Sequence, residues 1–148
     1  MAPLLVLLGV FAGSTLFGRL QPARALTFGR RGRLALAAMF LFTGVSHFLF
    51  TDSMISMMPP PIPAKAAVVY GTGFIEIAGA IGLLFTRHYR WVGMAFVLFL
   101  IAVFPANVYS ALHSTGVGGG TSGPAYLWFR APLQVFFIGW SWFFTRRP

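Results

Sequence analysis

A carboxylate in the middle of an apolar run constrains this chain more than any other feature. Residues Val68 to Phe85 read VVYGTGFIEIAGAIGLLF, with Glu76 near the centre. The run approaches the ~20 largely apolar residues that an α-helix needs to cross a bilayer. A carboxylate at that depth costs about 2.5–3.5 kcal/mol on insertion scales, so it has to face the inside of a helical bundle and find a partner there. Thr72, Gly73, Gly79 and Ala80 lie at helical spacing around Glu76. All are small, and they let the face that carries the carboxylate come close to neighbouring helices. The chain therefore reads as an all-α integral membrane protein with a buried polar site.

The remaining composition excludes a soluble domain. Of 148 residues, 57% are hydrophobic and 9% charged, against about 25% charged in soluble domains. A chain this short has no room for a second domain beside a helical bundle. The formal charge of +9 would point to nucleic acid in a soluble protein. Here the arginines sit in short clusters between apolar runs, where they set membrane topology. The expected partner is the lipid bilayer and not nucleic acid. Cysteine is absent, which removes disulfides, thiolate metal sites and dithiol redox chemistry. A redox role would need a bound cofactor or a partner protein.

Five apolar spans can be drawn: Pro3–Phe17, Leu34–Phe50, Val68–Phe85, Trp91–Leu112 and Pro124–Phe144. The last opens on a proline suited to a first helical position, with Ser122 before it as a cap. It is about 31 Å long at helical rise, and Pro132 is expected to kink it. Arg19, Arg24, Arg30, Arg31 and Arg33 follow the first span, Arg87 and Arg90 the third, and Arg146 and Arg147 the fifth. Alternate loops are thus arginine-rich. The positive-inside rule then places the N-terminus outside and the C-terminus in the cytoplasm of a multi-pass inner-membrane protein. Of the two other loops, TDSMISMMPPPIPAK is expected to follow an extended polyproline path after Pro59. Its methionines would lie in the interface or dip into the bundle. The other, STGVGGGTSG from Ser114, reads as a flexible linker.

This topology sorts the polar membrane residues by depth. His47, Asn107, Arg130 and Gln134 fall in the outer half, with Glu76 near the middle. Side chains lean toward the N-terminus of their own helix, so His47 and Asn107 lean inward while Glu76 and Arg130 lean outward. The two sets converge, and Pro105 adds to them by freeing the carbonyl of Ile101. Glu76 and Arg130 would form either a structural ion pair or a proton and ligand site. Haem ligation by His47 and His113 would rest on residue type alone. Cu(I) held by Met54, Met57 and Met58 beside His47 is the other metal option, but interfacial packing already accounts for those methionines. No metal site is assigned.

The runs GVSHF from Gly44, MMPPPIP from Met57, TGFIEIAGAIGLL from Thr72, FPANVYSALH from Phe104 and LWFRAPLQ from Leu127 together resemble the DoxX family of small membrane proteins. The resemblance covers roughly Arg33 to Phe144. It implies a four-helix membrane domain over residues 34–145, which makes the helix over 1–18 an extra N-terminal transmembrane helix; the arginine pattern makes 19–33 a basic cytoplasmic loop. The family is named for a thiosulfate:quinone oxidoreductase subunit, and other members are linked to oxidative stress. The signature positions carried onto this chain are His47, Pro60, Glu76, Pro105, Asn107, Arg130, Pro132 and Gln134.

The expected function is an accessory membrane subunit that binds a quinone in an outer-half polar pocket and works with a partner oxidoreductase. Glu76 would exchange the proton and Arg130 would hold it. His47, Asn107 and Gln134 would bond the head group, with Pro60, Pro105, Pro132, Gly73 and Gly79 shaping the scaffold. A non-catalytic assembly protein and a small-solute or proton transporter with Glu76 as relay are the alternatives, and a homo-oligomer is left open. The arginine pattern makes a topological prediction. Reporters fused after Pro148 and within Gly116–Gly120 should respond from opposite sides of the membrane; the same side for both would refute five crossings.

Overall fold

The computed structural model describes residues 2–112 and 125–147, and every regular element among them is helical. Helix α1 spans Ala2–Leu20, α2 Phe28–Leu49, α3 Thr51–Ser56, α4 Lys65–Phe85, α5 Tyr89–Leu112 and α6 Ala125–Arg146, with a single 3-10 turn at Pro22–Arg24. The Ser114 linker, the Ser122 cap, Pro124 and His113 lie outside the described residues. On length and composition α1, α2, α4 and α5 can cross a membrane. Helix α6 matches them with 22 residues but is less apolar, carrying Arg130 and Gln134 within it, and it falls outside that set. Four apolar spans are therefore established where five were expected.

Several boundaries differ from the sequence reading for local reasons. Helix α2 starts at Phe28 because the Thr27 hydroxyl oxygen accepts from the Arg30 amide at 3.3 Å, a standard N-cap arrangement. The segment expected as a basic loop over 19–33 is thus largely helical. Arg19 closes α1, and Arg30, Arg31 and Arg33 occupy the first turns of α2. Between α2 and the prolines the chain forms the short helix α3. It then turns at the prolines, where the Ile62 amide reaches the Pro59 carbonyl at 3.3 Å. Ala64 enters α4 in the left-handed region, at φ 48°. The Lys65 ammonium spans this loop to the Met58 carbonyl at 3.1 Å. Pro105 and Pro132 sit inside unbroken α5 and α6.

Helix α2 lies against α1, α4 and α6, while α5 lies against α4 and α6. Four helices therefore close a ring, and α1 docks on α2 from outside it through Leu7, which is fully buried. Ala35, Leu36, Met39, Phe40, Ala80, Leu83, Phe96 and Phe137 fill the centre. The rings of Phe40 and Phe96 stack across it at 3.7 Å, and the Phe96 ring lies on the bare backbone of Gly79. The outer faces carry Leu5, Phe17, Phe74, Trp91, Leu98 and Trp128, all exposed. In water such a surface would aggregate; in lipid it is the expected exterior. Lipid gives helices no hydrophobic reason to associate, so close packing and interhelical hydrogen bonds hold the ring together.

At one end of the bundle, buried Arg33 ties α2 to the last turn of α6. Its Nη1 donates to the carbonyls of Phe144 at 3.4 Å and Arg147 at 2.6 Å. A guanidinium at a helix C-terminus satisfies orphan carbonyls and complements the helix dipole. The Trp140 indole adds a second tie, donating to the Gly32 carbonyl at 3.1 Å.

Candidate functional site

The polar site begins with two glycines. Gly44 of α2 and Gly73 of α4 face each other with no side chain between them. A Cβ on Gly73 would stand 2.9 Å from the His47 Cβ and 3.1 Å from the Gly44 carbonyl oxygen. A Cβ on Gly44 would stand 3.1 Å from the Gly73 carbonyl oxygen and 3.3 Å from the Glu76 Cβ. These contacts pair Gly44 with Glu76 and His47 with Gly73, the pattern of two antiparallel helices. His47 and Glu76 are thus offset by three residues, about 4.5 Å along the axis. Each leans back toward the N-terminus of its helix, and they meet over the glycine contact.

The pair is close and largely buried. His47 Nε2 lies 3.6 Å from Glu76 Oε1, and the carboxylate side chain is only 8% exposed. That separation is too long for a hydrogen bond and short enough for an ion pair. His47 Nδ1 lies 3.2 Å from the Thr72 hydroxyl oxygen. That hydroxyl is already within reach of the Val68 and Val69 carbonyls, at 3.0 and 2.9 Å, and gives them its proton. Thr72 is therefore the acceptor and His47 Nδ1 the donor. With Nδ1 turned to Thr72, Nε2 is the ring nitrogen that faces the Glu76 carboxyl.

Glu76 Oε2 is buried and has no hydrogen-bond partner among the described residues. Such an atom forfeits about 1–3 kcal/mol and calls for a physical explanation.

The other expected site residues belong to a different helix pair. Arg130 Nη2 donates to Asn107 Oδ1 at 2.6 Å, and buried Gln134 donates through Nε2 to the Leu100 carbonyl at 2.5 Å. Both bonds join α5 to α6. The expected Glu76–Arg130 ion pair is replaced by His47–Glu76 and Asn107–Arg130. Helix α6 packs on α5 and α2, not face to face with α4. Arg130 also enters its helix about 9 Å nearer the end of the bundle than Glu76 does. The anticipated convergence on Glu76 therefore holds for His47 alone. Gln134 engages Leu100, not the Ile101 carbonyl that Pro105 was expected to free.

Three contributors escaped the sequence reading. Thr72 stood out only for its size, although one helical turn before Glu76 it shares that face. Gly44 matters as the counterpart of Gly73, a relation that needs the register of α2 on α4. Arg33 looked like one more topological charge, yet it is buried. A groove of about 350 Å³ at the α2–α3 corner is lined by Phe48, Asp52 and Tyr70 and by none of the five expected residues. Among the described residues, no three His, Cys, Asp or Glu side chains gather as a metal site would require.

Comparison with known families overturns the DoxX resemblance. The family model that matches is Domain of unknown function (DUF8561), over residues 36–145, and the chain belongs to that family. The matched stretch contains both glycines and all six polar residues, from His47 to Gln134, and leaves out α1. No curated protein and no solved structure matches the chain.

The pairing makes a thermodynamic prediction. His47→Ala leaves the Glu76 carboxyl without any partner and should cost about 3–5 kcal/mol of stability in detergent, as for a broken buried pair. In a double-mutant cycle His47→Ala and Glu76→Gln should couple strongly, whereas Glu76→Gln and Arg130→Gln should add to within about 0.5 kcal/mol. The opposite pattern would restore the Glu76–Arg130 pair.

Proposed function

We propose that the α2–α4 crossing is a proton-accepting site, buried in the membrane, for the hydroxyl of a lipophilic ligand, and that a quinol is the class of molecule it takes. One observation carries the reading: Glu76 Oε2 is buried without a partner while Oε1 is engaged by His47. An ionised carboxylate is acceptor-only, so it selects the reduced, hydroxyl-bearing form over the oxidised one. Glu76 takes the hydroxyl proton, His47 balances the charge of the carboxylate, and the pair resets when the imidazole passes one proton to bulk water. Thr72 fixes the imidazole in the orientation this needs. The chain supplies binding and proton handling, and electron transfer falls to a partner oxidoreductase.

The surrounding architecture is read the same way. Helix α6 is taken as a fifth crossing, since 22 residues reach about 33 Å and its outward residues Trp128, Val135 and Trp142 are exposed and apolar. The arginine-rich end is taken as cytoplasmic and the membrane as the inner one.

A second reading, a membrane scaffold with no ligand, has its own support. Asn107, Arg130 and Gln134 engage groups within the protein, as structural residues do.

A quinol analogue decides between the two. At one hundred times its Kd a ligand stabilises the native state by about 2.7 kcal/mol. Decylubiquinol should raise the melting temperature of the wild type and of Asn107→Leu, should not raise that of Glu76→Gln, and should act more strongly than decylubiquinone. No shift in the wild type, or equal shifts from both redox forms, would favour the scaffold.

A further inference from the structure

A groove lies far from the His47–Glu76 pair, at the arginine-rich end between α2, α4 and α5. It holds about 470 Å³, and its lining includes Arg30, Arg33 and Arg87 on the polar side and Leu34, Leu83 and Leu84 on the apolar side. Three features distinguish it from a generic basic surface. First, its central guanidinium is buried and fixed. Arg33 lies with Cζ 4.0 Å from the centre of the Tyr89 ring while Nη1 is bound to α6. Its Nε and Nη2 make no hydrogen bond among the described residues. Second, no side-chain carboxylate competes for the arginines. The two acidic residues of the chain are Asp52 and Glu76, one beyond the far end of α2 and the other bound to His47. Third, the leucine wall continues onto the outer face of α4, where Ile81, Leu84 and Phe85 are exposed.

From this combination we infer that the groove is a binding site for one anionic phospholipid, with its phosphate among Arg30, Arg33 and Arg87 and an acyl chain along Leu84 and Ile81. Guanidinium groups match phosphate oxygens in shape and charge, and basic pockets between membrane helices at this depth suit lipid head groups. A soluble anion would use the arginines but would leave the leucines exposed, so the apolar wall selects a lipid. The site is independent of the one proposed at Glu76.

The test is native mass spectrometry of the full chain released from nanodiscs of equal phosphatidylglycerol and phosphatidylcholine. The wild type should retain one phosphatidylglycerol in preference to phosphatidylcholine. Arg30→Gln and Arg87→Gln should each reduce that preference about fivefold; both side chains are exposed and neither holds the fold together. Arg146→Gln with Arg147→Gln removes two charges whose side chains stack on Trp142 and Phe143, and should leave the preference unchanged. Equal retention of the two lipids would overturn the assignment. So would an equal loss in the Arg146/Arg147 variant, which would attribute binding to the general field of that end. Displacement of the lipid by millimolar inorganic phosphate would show a phosphate site and not a lipid site.

Discussion

Two glycine backbones in contact, Gly44 on α2 and Gly73 on α4, decide where the buried charge of this protein can sit. A Cβ on Gly73 would crowd the His47 stem at 2.9 Å and one on Gly44 would crowd Ile77 at 2.8 Å, each with the opposite carbonyl 3.1 Å away. With hydrogen alone there, the helices come close enough for His47 and Glu76 to bend over the crossing and meet. A carboxylate in a membrane helix is costly unless it is paired, so the glycine contact makes Glu76 tolerable. The pairing is incomplete: one histidine nitrogen reaches one carboxyl oxygen, and Oε2 has no hydrogen-bond partner among the described residues.

The rest of the bundle follows a similar rule, with polar groups bonding across the nearest helix boundary. Asn107 meets Arg130 and Gln134 meets the Leu100 carbonyl, both across α5 and α6. Arg33 joins α2 to the end of α6. Between these ties the contacts are ring on ring and ring on glycine. That suits a solvent in which apolar burial gives helices no preference for one another. Each polar bond therefore fixes one pair of helices, and Glu76 Oε2 is the buried side-chain atom left over among the described residues.

Much of this was legible in the sequence. The apolar runs located the helices, because an unbroken run bounded by arginines has few other readings, and Glu76 announced a buried site. The lean of side chains toward helix N-termini brought His47 and Glu76 together correctly. It brought Asn107 and Arg130 together as well, but the expected pairing of Arg130 with Glu76 failed because depth alone cannot say which helices are neighbours. That depends on which of α4, α5 and α6 share a face, and the hydrophobic pattern of helices apolar on all sides does not encode it. Thr27 was equally hard to see, since its cap sits amid arginines that look like a loop. The family resemblance failed for another reason. Short motifs of Gly, Pro and a few polar residues recur wherever membrane helices cross closely, and they matched a family to which the chain does not belong.

The central claim is that His47, and not Arg130, stands beside Glu76. Glu76 is the sole glutamate of the chain, which makes a carbon label on its carboxyl unambiguous in solid-state NMR on protein in bilayers. Dipolar recoupling of that carbon to nitrogen-labelled histidine should show the strong dephasing expected of a 3.6 Å nitrogen–oxygen contact, and recoupling to nitrogen-labelled arginine should show none. Strong dephasing from arginine with none from histidine would contradict the account.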